Sequence, residues 1–193
     1  MPRHPDPYLE ERILTAADAL WRRGGEHALT MRAVARAAGT NTPAVYRRFK
    51  NREDLIRGLL WRIASRIRKH IEEAGTLEQT AEAYVDYAVR KPNEYELFYK
   101  YVQLMSPRKG RGAPRPIRET RTIFAFTEQS LAKHFGGTPA DYTEAALQLW
   151  GLLHGTSMLL VGKSIPEGHE EALRRACSEG VKTLLASAAA KRR

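Results

Sequence analysis

Residues 30–56 read TMRAVARAAGTNTPAVYRRFKNREDLI, and the fold turns on how this stretch is punctuated. Met31, Val34, Ala35 and Ala38 recur at helical spacing, and Val45, Tyr46 and Phe49 do so again after Gly39. Thr30 can offer its hydroxyl to the unpaired N–H groups of a helix over Met31 to Ala38. Gly39 suits the left-handed conformation that closes a helix, and Asn41 can cap a second helix beginning at Thr42. Pro43 falls in that helix's first turn, where its missing N–H has no partner to lose. The pattern predicts helix, tight turn, helix.

In such a unit the first helix braces the second, whose leading residues can enter a groove just wide enough for an α-helix. Val45 and Phe49, at i and i+4, can anchor inward and leave Thr42, Pro43, Ala44, Arg47 and Arg48 facing outward. Threonine and alanine can meet thymine methyls, and arginine can fork onto guanine or phosphate. Lys50 and Arg52 follow as phosphate-directed charges. Tyr46 can be core filler with its hydroxyl at the surface.

The flanking segments are also one-sided helices. Ile13, Ala17, Leu20 and Trp21 share a face, and Leu55, Leu59, Ile63, Ile67 and Ile71 repeat every four residues. Further helices are expected over 77–90, 92–105, 116–135, 139–162 and 167–188, separated at Lys91-Pro92, at Gly136 to Pro139 and at Ile165-Pro166. The stretch SPRKGRGAPRP, 106–116, is expected as an exposed loop. No alternating run bounded by turn signals appears, so the fold is expected to be all-α.

At 193 residues, with 42% hydrophobic and 28% charged side chains, the chain can bury a sizeable core and does not resemble a disordered or fibrous sequence. Its net charge of +10 and pI near 9.9 point to a polyanionic partner, nucleic acid or an acidic surface. The excess is local, with +5 over residues 1–52 and +5 again over residues 106–121. The single cysteine, Cys177, cannot close an internal disulfide, and the six histidines form no pair at ligand spacing. No metal or cofactor is expected. The N-terminus lacks the apolar core of a signal peptide, and the apolar stretch Leu147 to Val161 is interrupted by Gln148, His154, Thr156 and Ser157, so no membrane span and a cytoplasmic location are expected. P-loop, Gly-x-Ser-x-Gly and His-Glu-x-x-His patterns are absent, and no catalytic residue or enzymatic activity is expected.

The stretch 30–56 resembles the DNA-binding signature of the TetR family of bacterial transcriptional repressors. Thr30, Val34-Ala35, Ala38-Gly39, Tyr46, Phe49, Glu53 and Leu55 match that signature as they stand. Arg48 replaces the usual His, Arg52 the usual Lys, and Thr40-Asn41 the usual Val-Ser. LWGLLHGTSML, 149–159, is similar to the Trp-x-x-x-His-Gly segment of one regulatory-domain subfamily of the same family. The resemblance implies a three-helix DNA-binding domain over residues 1–52 and a helical-bundle domain over 53–193 for effector binding and dimerisation. It also implies that Tyr46 and Arg52 grip phosphates while Thr42, Pro43, Ala44 and Arg47 sit nearest base edges, with Thr30 and Asn41 at the same surface. A homodimer is implied through 139–162 and 167–188, where Leu147, Trp150, Gly151, His154 and Met158 share one face and Leu173, Cys177, Val181, Leu184 and Leu185 another. Gly151, Gly155, Ala176 and Gly180 would permit close helix approach there.

An unknown small-molecule effector is expected to meet Tyr95, Phe98, Tyr99, Met105, Phe124, Trp150, His154 and Met158, since ligand pockets are rich in aromatics with a few polar groups. Ordinary core packing accounts for the same aromatics, and a satisfied buried histidine accounts for His154. The expected function is a ligand-responsive repressor, released from a palindromic double-stranded operator by its effector. The competing expectation is a helical protein attached non-specifically to nucleic acid or anionic surfaces through its basic patches, residues 106–118 foremost.

Overall fold

The computed structural model describes residues 6–106 and 117–190. Within them the regular structure is helical throughout: α1 (Leu9–Ala28), α2 (Met31–Ala37), α3 (Thr42–Arg48), α4 (Arg52–Glu72), α5 (Leu77–Arg90), α6 (Pro92–Tyr101), α7 (Ile117–Thr120), α8 (Thr122–Phe135), α9 (Thr143–Val161) and α10 (Glu170–Ala190), with 3-10 turns at Val102–Met105 and Pro139–Tyr142. The all-α expectation holds. Residues 107–116, most of the expected basic loop, lie outside the described residues.

Helix ends fall where the sequence supplies caps. Thr76 and Gln79 form a reciprocal box at the start of α5, each side chain accepting from the other's backbone N–H at 3.2 and 3.0 Å. Pro92 opens α6 directly after α5 ends, and Gly136 leaves α8 at φ +81°. Three expected helices are subdivided, and 139–162 is one of them, opening with the 3-10 turn Pro139–Tyr142 before α9. The stretch 92–105 tightens into a 3-10 turn after Tyr101, where Arg57 Nε donates to the Leu104 carbonyl at 2.9 Å. The stretch 116–135 breaks at Arg121, which is extended (φ −135°, ψ 92°) and separates α7 from α8.

The chain divides into two compact units, one from the described residues of Met1–Ile63 with Glu96–Ser106, the other from those of Ala64–Tyr95 with Pro107–Arg193. In the first, Ile13, Ala17, Val34, Val45, Leu55, Ile56, Leu59 and Leu60 are fully buried, with Trp21 and Phe49 nearly so. Each such side chain contributes about 1.5–3 kcal/mol. Gly58 lets α4 approach closely, since a Cβ there would lie 3.0 Å from Leu14 and 3.1 Å from Phe49. The core of the second unit joins Phe124 and Leu131 of α8, Ala146 and Leu149 of α9, and Val181, Leu185 and Ala188 of α10, with Ala81 of α5.

The turn between α2 and α3 is a Schellman closure. The Thr40 N–H reaches the Ala35 carbonyl at 2.9 Å, the Gly39 N–H reaches that of Arg36 at 3.2 Å, and Gly39 sits at φ +64°. A Cβ at Gly39 would meet no atom within 4 Å, so the position demands glycine for backbone conformation alone. Gly39→Ala is therefore expected to destabilise the protein by about 1 kcal/mol, the left-handed penalty of an L-residue, measured by urea denaturation. An unchanged midpoint would show that the turn is not held in this conformation.

Candidate nucleic-acid interface and interior polar clusters

α2 and α3 are short, and both are capped from the side chain before them. Thr30 Oγ1 accepts from the Ala33 N–H at 3.1 Å, and Asn41 Oδ1 accepts from the Ala44 N–H at 2.9 Å. Val45 and Phe49 point inward as expected, leaving Pro43, Tyr46, Arg47, Arg48 and Lys50 exposed and Thr42 half-buried. Tyr46 is 50% exposed, which excludes the core-filler reading.

One expectation is corrected here. Ala44 does not face outward: at 4% exposure it packs beside Val45 against the unit's interior. Ala44, Arg47 and Arg48 lie at i, i+3 and i+4 on one side of α3, and the single methyl of Ala44 is covered where the longer arginine side chains reach solvent.

Arg52 is placed differently from a free phosphate-directed charge. Its Nε donates to the Leu29 carbonyl at 3.0 Å, and its Nη2 reaches both the carbonyl and the carboxylate of Glu26 at 3.3 Å. It thus clamps two carbonyls where α1 ends, beyond the break at Gly25 (φ 58°, ψ −147°). The same Glu26 carboxylate accepts from Lys100 and from the Tyr101 hydroxyl. Those hydrogen bonds, Lys100 first and Tyr101 next, hold its pKa at about 2, against an ordinary 4.5. Arg48 donates to the Asp6 carbonyl at 3.3 Å, whereas Arg47 has no partner among the described residues.

Sequence reasoning did not single out Arg32 and Arg36, which α2 also exposes. Residues 30–50 hold five basic side chains and no carboxylate, and that local imbalance is the signal that identifies them. Arg12 was missed as well; its Nε reaches the Ala38 carbonyl at 3.4 Å, bracing the end of α2.

The residues expected around an effector separate into smaller groups. In the second unit Tyr95, 1% exposed, places its hydroxyl 2.6 Å from Nδ1 of His154 and 3.2 Å from the Tyr84 hydroxyl. Burial lowers the His154 pKa, which favours the neutral ring, and its Nδ1 shares a hydrogen bond with the Tyr95 hydroxyl. Phe124 and Trp150 meet edge to face at 6.1 Å within the core cluster. Phe98, Tyr99 and Met105 belong to the first unit, where the Phe98 and Tyr99 rings meet edge to face at 5.2 Å. Met158 is 42% exposed and stands away from the interior.

Two buried carboxylates complete the second unit's polar interior. Glu94 accepts from the Tyr87 hydroxyl at 2.7 Å and from Arg66 at 3.1 Å, and burial followed by that carboxylate pushes the Tyr87 phenol well above its ordinary pKa. Glu128, fully buried, is ion-paired with Arg118, whose Nη2 donates to Oε1 at 3.1 Å while Nε lies 2.9 Å from Oε2 without a hydrogen bond between them, and it accepts from Thr143 at 2.6 Å. Among the described residues no group of three or more histidine, cysteine or carboxylate side chains could hold a metal ion, and no helix is long and apolar enough to cross a membrane.

Residues 13–59 match the family model described as bacterial regulatory proteins, tetR family, and residues 77–184 match the model described as tetracyclin repressor-like, C-terminal domain. No curated protein matches the chain. Among solved structures, a protein of unknown function from Rhodococcus sp. RHA1 is 21% identical, covers 97% of this chain and 98% of its own, and superposes with a TM-score of 0.66. The multidrug binding protein EbrR, complexed with imidazole, is 18% identical over 95% of this chain and 93% of its own, with a TM-score of 0.65. A TetR variant from Acinetobacter baumannii AYE in complex with minocycline is 17% identical over 91% and 93%, with a TM-score of 0.59.

The Glu26 geometry carries a pH signature. A carboxylate whose folded pKa is depressed adds stability that is complete above its unfolded value near 4.5 and lost as pH falls through about 2. Glu26→Gln is therefore expected to lower Tm at pH 7, with the gap to the unmodified protein shrinking between pH 4.5 and 2. A gap independent of pH over that range would show that the carboxylate charge is not what ties these segments together.

Proposed function

Because the chain belongs to the TetR family of bacterial transcriptional regulators, we propose that it is a ligand-responsive repressor that binds a palindromic operator as a homodimer and is released by a small-molecule effector. The regulatory fold points to a non-enzymatic protein. In this reading residues 1–52 meet DNA and residues 53–193 bind the effector and dimerise in the cytoplasm. The carrying observation is the outer face of the helix-turn-helix, where Pro43, Tyr46, Arg47, Arg48 and Lys50 are exposed around a buried Val45–Phe49 anchor. Arg47 reads base edges at the leading surface of α3, with Thr42 and Pro43 beside it. Tyr46, Arg48 and Lys50 meet phosphates, joined by Arg32 and Arg36. Thr30 and Asn41 act mainly by holding the two helices in register, and Arg52 by clamping the end of α1.

Effector binding is supported by the Tyr84–Tyr95–His154 chain, a set of buried polar groups able to orient a ligand inside an otherwise apolar bundle. The small molecules held by EbrR and by the Acinetobacter protein favour the same use of the fold here. Dimerisation is supported by α9, which exposes Leu147, Gly151, Gly155, Met158 and Leu159 along one side, where a Cβ on either glycine would meet nothing within 4 Å. The face of α10 differs from the sequence expectation: Cys177, Val181 and Leu185 turn into the chain's own core, and Gly180 admits Leu152, which a Cβ would approach to 2.9 Å. Among its small residues α10 exposes Ala172, Ala176, Ala186, Ser187 and Ala190.

The attachment reading loses part of its surface, because Arg118 is engaged by Glu128. Sites selected from random DNA are expected to be two-fold symmetric and bound about 10³ to 10⁷ times more tightly than random sequence. Arg47→Ala should cost about 1–3 kcal/mol on the selected site while leaving random-DNA affinity nearly unchanged in gel-shift titrations. Equal losses on both DNAs would support non-specific attachment instead. Leu147→Glu combined with Met158→Glu is expected to yield monomers in analytical ultracentrifugation; a persistent dimer would move the interface off α9.

A further inference from the structure

Within the second unit, α5, α9 and α10 enclose a half-open slot of about 310 Å³. Its floor is apolar, formed by Val85, Leu153 and Val181. Tyr95 and His154 do not line it, so it is separate from the interior polar chain described above. One wall is a carboxylate stripe on α5, where Glu78, Glu82 and Asp86 fall at i, i+4 and i+8. Asp86 is neutralised by Arg174 Nη1 at 2.9 Å. Glu78 and Glu82 have neither an ion pair nor a hydrogen-bond partner among the described residues. Lys182 senses both carboxylates electrostatically but is bonded to Glu179 at 2.7 Å.

A second, independent feature lies deeper. Thr156 is 4% exposed and lines the slot, and its hydroxyl has no partner among the described residues. A polar group of a ligand seated in the slot can take up the hydrogen bond that this hydroxyl leaves open. Arg175 stands on the opposite wall, so the three carboxylates and two arginines of the lining leave a net charge of −1.

We infer that this slot binds an amphipathic organic amine, its ammonium between the Glu78 and Glu82 carboxylates and its hydrocarbon body on the Val85, Leu153 and Val181 floor. The sign follows from the unpaired charges, and the apolar body from a floor that water solvates poorly. At about 310 Å³ the slot lies at the small end of the roughly 300–1,000 Å³ range of ligand pockets, which suits a compact amine. Thr156 accepts or donates one further hydrogen bond to a polar substituent.

The test is calorimetric titration of the full chain with 4-phenylbutylamine and with 4-phenylbutyrate, which has a similar body and the opposite charge. One amine per protomer is expected, with 4-phenylbutyrate binding at least tenfold more weakly. Glu78→Gln with Glu82→Gln should weaken the amine at least tenfold, and Leu153→Trp, which fills the slot, should abolish binding while circular dichroism confirms the fold. His154→Ala should leave amine affinity within twofold, which separates this site from the proposed effector cluster. No amine binding, tighter binding of 4-phenylbutyrate, unchanged affinity in the double glutamine variant, or loss of binding on His154→Ala would each overturn the assignment.

Discussion

A helix of seven residues cannot hold itself together in water, because nucleation fixes several residues for very few hydrogen bonds. Both α2 and α3 are that short, and everything proposed for the DNA-facing surface depends on what compensates for their length. Three local devices do so: an oxygen cap before each helix, the left-handed Gly39 between them, and the burial of Val34, Val45 and Phe49 on shared faces. Burial also fixes rotation. Once Val45 and Phe49 are inside, Tyr46, Arg47 and Arg48 have only solvent to face, and Ala44 is drawn inward with its neighbour.

Around that pair, charge ties the end of α1 to α4 and α6 at Glu26. Glu26, just beyond the break at Gly25, receives Arg52 from the start of α4 and Lys100 and Tyr101 from the end of α6. Leu29 and Thr30 follow immediately, so whatever fixes the last turn of α1 also fixes where α2 begins. Arg52 thereby serves the interface without standing on it. A basic residue next to a DNA-binding helix is easily taken for a phosphate contact, but here Arg52 is engaged by two carbonyls and one carboxylate of its own chain.

The second unit buries more polarity than a plain helical bundle requires. Glu94 and Glu128 are both nearly inaccessible, and each is answered by an arginine and a hydroxyl, which offset the cost of taking a carboxyl group out of water. The Tyr84–Tyr95–His154 chain differs because it is neutral. Its members can exchange hydrogen bonds without moving a charge, and that makes it better suited to orienting a bound molecule than to holding the bundle together.

What the sequence by itself determined was whatever is settled within a few residues of chain. Thr30 reaches Ala33, Asn41 reaches Ala44, Gly39 alone accepts its backbone angle, and apolar residues repeating every three or four positions mark helices and their buried sides. Those interactions close within one turn, so reading neighbours is enough. The mistaken orientation of Ala44 shows the limit, because spacing tells which residues share a face but not how far round the helix the core extends. Tertiary structure alone decided that Arg52 binds Glu26, that Lys100 returns to a residue 74 positions earlier, that Tyr95 meets His154 across 59 residues, and that Cys177 and Val181 turn inward while Leu147 and Met158 remain outside. Such pairings depend on which helix faces are brought together in space, and no local pattern encodes that choice, because many partners of the same chemistry lie equally far along the chain.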